Sequence, residues 1–146
     1  MTEKPRPTDL SVRLNRLFDA VRPPGLGRPY RSVELERAVR DRGGRISTAY
    51  ISQLRSGARQ NISIELATRI ADFFGVDAAY VLGTESTYCA AVDTELMLLR
   101  ACYRQPMRRL IESIRQLSAE DQNRIQAYVH LLGADQPSGQ VSPAVR

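Results

Sequence analysis

The chain has 146 residues, 42% of them hydrophobic, enough for one compact domain plus a smaller element or for two small helical domains, and too apolar for wholesale disorder. The formal net charge of +5 is carried by one half, since residues 1–83 hold 14 Lys and Arg against 9 Asp and Glu, whereas residues 84–146 hold 7 against 7. Two cysteines (Cys89, Cys102) outside any CxxC or Cys/His cluster and a single histidine (His130) leave no metal set, no disulfide framework and no catalytic triad.

Residues 1–9, polar and proline-bearing, are expected to be disordered. Leu10, Leu14, Leu17, Phe18 and Val21 then recur at helical spacing, which predicts a first amphipathic helix ending before Pro23-Pro24. Arg22 to Arg31, with three prolines and two glycines, reads as a rigid loop. Ser32 is placed to cap a second helix, Glu34 and Glu36 suit its positive end, and Leu35, Ala38 and Val39 face inward. Gly43-Gly44 stops it. Ser47 caps a third, short helix in which Ile51 and Leu54 face the core while Thr48, Ala49, Ser52 and Gln53 face out, and Gly57 closes it. Ser63 caps a fourth, striped by Leu66, Ile70, Phe73 and Phe74 up to Gly75. Asp77 caps a fifth, carrying Tyr80, Val81 and Leu82 and closed by Gly83. Residues 10–83 therefore read as a five-helix domain in an all-α chain.

Residues 84–91 carry no apolar stripe and read as a linker. Three further helices are predicted over 92–133. Val92, Leu96, Leu99 and Tyr103 mark the first. Met107, Leu110, Ile111, Ile114 and Leu117 mark the second, after Pro106. The last has Ser118 and Asp121 as a capping box, a stripe of Ile125, Tyr128, Val129 and Leu132, and Gly133 at its end. The tail, 134–146, is rich in Pro, Ser, Gly and Gln and is expected to be disordered. Three helices in so short a stretch make a meagre core, so the stripes are either internal packing or partly a dimer seam. Dimerisation is the expectation, with Leu96, Leu99, Tyr103, Leu110, Ile114, Ile125, Tyr128, Val129 and Leu132 on the seam. Tyr80, Tyr103 and Tyr128 lie on apolar stripes, which disfavours a single-strand stacking platform. No apolar run approaches the ~20 residues that span a bilayer, and the N-terminus lacks an apolar export core, so free thiols fit a reducing cytoplasm.

The function rests on Ile46 to Gly57. A short helix, apolar behind and bearing small neutral hydrogen-bonding groups in front, suits the major groove of DNA. No acid occurs between Asp41 and Glu65, so a polyanion meets little repulsion there. Ser47, Tyr50, Arg55, Arg59, Gln60 and Asn61 flank this helix, with Arg45 in the turn, and are candidate phosphate contacts. This segment, with Ser63-Ile64-Glu65-Leu66-Ala67 and Ala71-Asp72-Phe73-Phe74-Gly75-Val76, resembles the Cro/cI-type (XRE-like) helix-turn-helix family. Arg13-Leu14-Asn15-Arg16-Leu17-Phe18-Asp19 and Pro23-Pro24-Gly25 extend the likeness to its mycobacterial EspR-like group, over residues 10–133. Gly43-Gly44-Arg45 departs from the single tight Gly turn usual in the broad family. The resemblance implies that Thr48, Ala49 and Gln53 reach base edges, with Ser52 beside them. Gln53 can pair with adenine, Thr48 can bond a base or touch a thymine methyl, and Ala49 can only touch the methyl.

The reading is a homodimeric, double-stranded-DNA-binding transcriptional regulator in the cytoplasm, on the nucleoid, without cofactor, metal or membrane. The alternative is an antitoxin-like protein whose C-terminal half holds a partner. An enzyme is excluded by the lack of a nucleophile with a positioned base or a phosphate-cradling glycine loop.

Overall fold

Side-chain caps decide where most of the helices begin, in a computed structural model that describes residues 8–134. Eight helices and no strand occur among the described residues: α1 (Asp9–Ala20), α2 (Ser32–Asp41), α3 (Thr48–Ser56), α4 (Ile64–Phe74), α5 (Ala78–Leu82), α6 (Ser86–Cys102), α7 (Gln105–Arg115) and α8 (Ala119–Ala134). Ser47, Ser63 and Asp77 cap α3, α4 and α5 as expected. Gly57, Gly75 and Gly83 end them with φ of 82°, 75° and 69°, a conformation that a Cβ would strain. Helix α1 gains a reciprocal cap, in which the Thr8 hydroxyl accepts the Ser11 N–H and the Ser11 hydroxyl accepts the Thr8 N–H. The terminal stretches expected to be disordered fall outside the described residues except at their inner ends. There Thr8 caps α1, Asp9 opens it, and Ala134 closes α8 one residue past Gly133.

The cap of α2 differs from the expectation. Arg31, not Ser32, is the N-cap residue. The Glu34 carboxylate accepts the Arg31 N–H at 2.7 Å while both its oxygens take the Arg28 fork at 2.9 and 3.0 Å. The Arg28 hydrogen bonds, then the Arg31 backbone, hold this carboxyl down to about 2. The Glu34 carboxylate, steadied by the planar Arg28 fork, is the side-chain acceptor at this end rather than the Ser32 hydroxyl.

Residues up to Tyr103 form one compact unit, and those from Arg104 form another. The core of the first takes Leu10, Leu14, Leu17 and Phe18 from α1, Leu35 and Val39 from α2, Ile51 and Leu54 from α3, and Ile70 and Phe74 from α4. It also takes Tyr80 and Val81 from α5 and Val92 and Leu96 from α6. Each such side chain contributes roughly 1.5–3 kcal/mol on burial. Edge-on rings extend the core, with Tyr30 4.7 Å from Phe73 and Phe18 5.0 Å from Phe74.

Helix α6 overturns three sequence expectations. The linker placed at 84–91 is helical from Ser86 onward. Its apolar spacing begins earlier than Val92: Cys89 packs on the core, and the Tyr88 hydroxyl accepts the Asp77 N–H at 2.9 Å. A five-plus-three division consequently gives way to six helices in the first unit and two in the second. Leu96, assigned to the dimer seam, is 5% exposed and belongs to the core of its own chain. A polar tie anchors α6 as well. The Tyr80 hydroxyl donates to Asp93 at 2.6 Å, and Arg16 pairs with the other Asp93 oxygen at 2.7 Å. Burial, and then Asp93, pushes the Tyr80 phenol well above its ordinary range.

In the second unit, α7 and α8 contain no buried residue. Ser118 accepts the Asp121 N–H at 3.1 Å, and the Gln122 amide closes the turn on the Ile114 and Leu117 carbonyls. Leu110, Tyr128, Val129 and Leu132 stand more than half exposed, and Ile114 and Ile125 are half-buried.

Candidate nucleic-acid interface

Helix α3 is held from behind by two side chains and from each end by a polar lock. Ile51 and Leu54 are fully buried, and α1 and α2 both pack against the helix. Thr48, Ala49, Ser52 and Gln53 are all exposed, on one outer surface. The division into an inner and an outer side follows from the three-residue spacing of Ile51 and Leu54.

At the N-terminal end the Ser47 hydroxyl accepts the Tyr50 N–H at 3.1 Å, so Ser47 is committed to the cap. The Thr48 N–H is taken by a carboxylate, Glu36 Oε2, at 3.0 Å, while Glu36 Oε1 receives Arg40. Sequence reading missed this. A window of chain free of acids does not guarantee a face free of acids, because α2 delivers Glu36 to the mouth of α3. The only sequence signal is that Glu36 lies on the same stretch as Arg40, four residues on. Between the two helices lies an open groove lined by Glu36, Arg40, Gly43, Arg45, Ser47 and Tyr50, with Arg45 exposed. The double glycine has separate roles in this turn. Gly43 has φ 78°, and a Cβ on Gly44 would lie 2.7 Å from Val39 Cγ1, so the chain can pass close to α2 only without side chains.

At the C-terminal end, Asn15 of α1 donates its amide to the Arg55 carbonyl at 2.9 Å and accepts Arg55 Nε at 2.8 Å. The Arg55 guanidinium lies 4.2 Å over the Phe18 ring. Arg55, expected as a phosphate contact, is thus a half-buried brace between α1 and α3.

The segment after Gly57 folds back on α3. The Arg59 N–H donates to the Gln53 carbonyl at 3.1 Å, Arg59 Nε donates to Gln53 Oε1 at 3.0 Å, and the guanidinium lies 4.9 Å from the Tyr50 ring. The Tyr50 hydroxyl sits 3.5 Å from the Asn61 carbonyl, and Gln60 and Asn61 are exposed. The eleven expected DNA-contact residues are gathered around α3, with Ser47 and Arg55 committed to the fold and Arg59 in contact with both Gln53 and Tyr50. No group of three His, Cys, Asp or Glu able to hold a metal occurs among the described residues, and none of their helices is long and apolar enough to cross a membrane.

Comparison with known proteins adds an independent line. The chain is 38% identical over 118 residues to the nucleoid-associated protein EspR of Mycobacterium tuberculosis, in both strain CDC 1551 / Oshkosh and strain ATCC 25618 / H37Rv. That alignment covers 81% of this chain and 87% of the relative. No family model matches the chain.

Proposed function

We infer the function from a plain premise: this chain belongs to the family of the nucleoid-associated protein EspR. It is a non-enzymatic, double-stranded-DNA-binding regulator that works in the cytoplasm on the nucleoid, and its α2–turn–α3 unit is a Cro/cI-type helix-turn-helix. Helix α3 enters the major groove and presents Thr48, Ala49, Ser52 and Gln53 to base edges. Arg45, Tyr50, Arg59, Gln60 and Asn61 meet the phosphates on either side.

One observation carries this reading. The outer surface of α3 is exposed and small, its inner surface is buried, and its flanks are basic. The exposed face carries none of the long charged side chains that usually cover the solvated side of a packing helix. The reading is tested by titrating a labelled genomic duplex against salt. Affinity should fall steeply and linearly in log–log form, with a slope set by the phosphates neutralised. A flat response from low to physiological ionic strength would remove it.

The protein acts as a homodimer. Helices α7 and α8 bury nothing by themselves, and Leu110, Tyr128, Val129 and Leu132 lie open to solvent, an arrangement that a second copy would satisfy. Leu99, Tyr103, Ile114 and Ile125 join the seam, without Leu96. Sedimentation at micromolar concentration should give a dimer, and a monomer there would overturn this part alone.

A further inference from the structure

We propose that Arg59 sets the base preference of Gln53 by holding its amide, so that phosphate anchoring and base reading are one linked device rather than two. The inference rests on the reading of α3 as the DNA-reading helix. Its basis is the pair of contacts between the two residues. The Arg59 N–H holds the Gln53 carbonyl at 3.1 Å, and Arg59 Nε holds Gln53 Oε1 at 3.0 Å.

A guanidinium has only donors, so the oxygen and not the nitrogen of the Gln53 amide must face Arg59. The amide is oriented by that fact. Free glutamine side chains turn through a broad range about the last torsion, and each turn exchanges donor for acceptor at the base edge. Here one lone pair of Oε1 is used by Arg59, leaving the Nε2 donors and the second lone pair for a base. That set retains the donor-and-acceptor pattern that adenine asks for, in a single orientation.

Arg59 is itself held in place. Its guanidinium lies 4.9 Å from the Tyr50 ring, and Tyr50 stands three residues before Gln53 on the same helix face. Among the described residues the contacts of this guanidinium are with Gln53 and Tyr50, which leaves its outer nitrogens for a phosphate. Both partners are exposed, so substitution removes the link without opening the core. Arg59 is a positioning residue for recognition, beyond any charge that it supplies.

The experiment measures the binding of full-length wild type, Q53A, R59A, R59K and the Q53A/R59A double variant to a randomised duplex library, with sequencing of the bound fraction. Salt titration on one selected duplex accompanies it. Q53A should lose preference at one base pair. R59A should lower preference at that same base pair about 5-fold or more, in addition to a uniform loss of affinity and a salt slope smaller by about 1. R59K should recover affinity and slope but not the preference, because lysine carries a methylene where arginine carries the Nε–H that holds Gln53 Oε1. In the Q53A background, R59A should cost only the uniform part. If R59A kept the wild-type preference while Q53A lost it, the link would be refuted and base reading by Gln53 would stand. If Q53A matched wild type at every position, the link and the base-reading role would fall together. Failure of every form to bind duplex would instead defeat the DNA-binding reading itself.

Discussion

Replacing Glu36 by Ala should destabilise the first unit by about 1–2 kcal/mol, although the residue is not part of the core. The carboxylate accepts the Thr48 N–H at 3.0 Å, where the first-turn amides of α3 have no partner within the helix. A charge-assisted hydrogen bond contributes about 1.5–3 kcal/mol when dry, and its alignment with the helix N-terminus is part of that figure. The Glu36 side chain is 20% exposed and Thr48 is open to solvent, so water replaces some of this and about 1 kcal/mol is retained. The Arg40 pair, with its cation 68% exposed, adds roughly 0.3–0.5 kcal/mol. Glu36→Gln keeps an acceptor without the charge and should lose about half as much. Urea unfolding at one fixed protein concentration reads the difference, since dimerisation would otherwise shift the midpoint. At a slope of about 1–3 kcal/mol per molar, E36A should unfold roughly 0.3–2 M earlier. An unchanged midpoint for E36A would mean that water caps α3 as well as Glu36 does, and the lock described at that end would be wrong.

Other expectations are as direct. Gln53→Ala should cost about 1–3 kcal/mol in binding, confined to one base pair, and equal weakening on specific and random duplexes would deny it a reading role. The Tyr80 phenol titrates higher folded than its unfolded value of 10.0, so its contribution is complete below that pH and is lost as pH rises beyond it. Alkaline melting curves should show this loss in wild type and much less of it in Y80F. Glu34, held at about 2 against 4.5 unfolded, has the opposite sign: its contribution is present above 4.5 and fades as pH falls toward 2, so E34Q should flatten acid unfolding. A chain ending at Gly83 should unfold far more easily than one ending at Tyr103. It forfeits buried Val92 and Leu96, about 3–6 kcal/mol together, and the Asp93 tie. Equal melting of the two would place α6 outside the first unit.

The helix starts and stops of α3, α4 and α5 were legible because Ser47, Ser63, Asp77 and the three left-handed glycines act within one or two turns. The inward pair Ile51 and Leu54 was legible for the same reason, since a period is a local property. What the chain did not disclose was long-range. Nothing local says that Ser86-Thr87 belongs to a helix, because the partners that fix it, Asp77 and the core under Cys89, come from elsewhere. Leu96 looked like seam because stripes carry no label for what they face. Asn15 engages Arg55 across 40 residues, and Glu36 reaches Thr48 across 12, so both site residues acquired their roles only on folding.

Asn15 and Arg16 are neighbours on α1, yet one grips the end of α3 and the other grips Asp93 of α6. In mechanical language, α1 is a shared axle. Helix α6 has 17 residues, an uninterrupted rod of about 25 Å at 1.5 Å per residue. Torque applied at its far end reaches α1 through the packed Val92 and Leu96 and through the Arg16–Asp93 pair, and that pair lands on the same turn of α1 that steadies the foot of α3. Arg16→Ala removes the polar grip on the rod while Asn15→Ala removes the polar grip on the foot, leaving the apolar packing of each in place. Melting the two single variants and the double variant would measure how stiffly the axle joins them, and additive losses would mean that the two grips work independently.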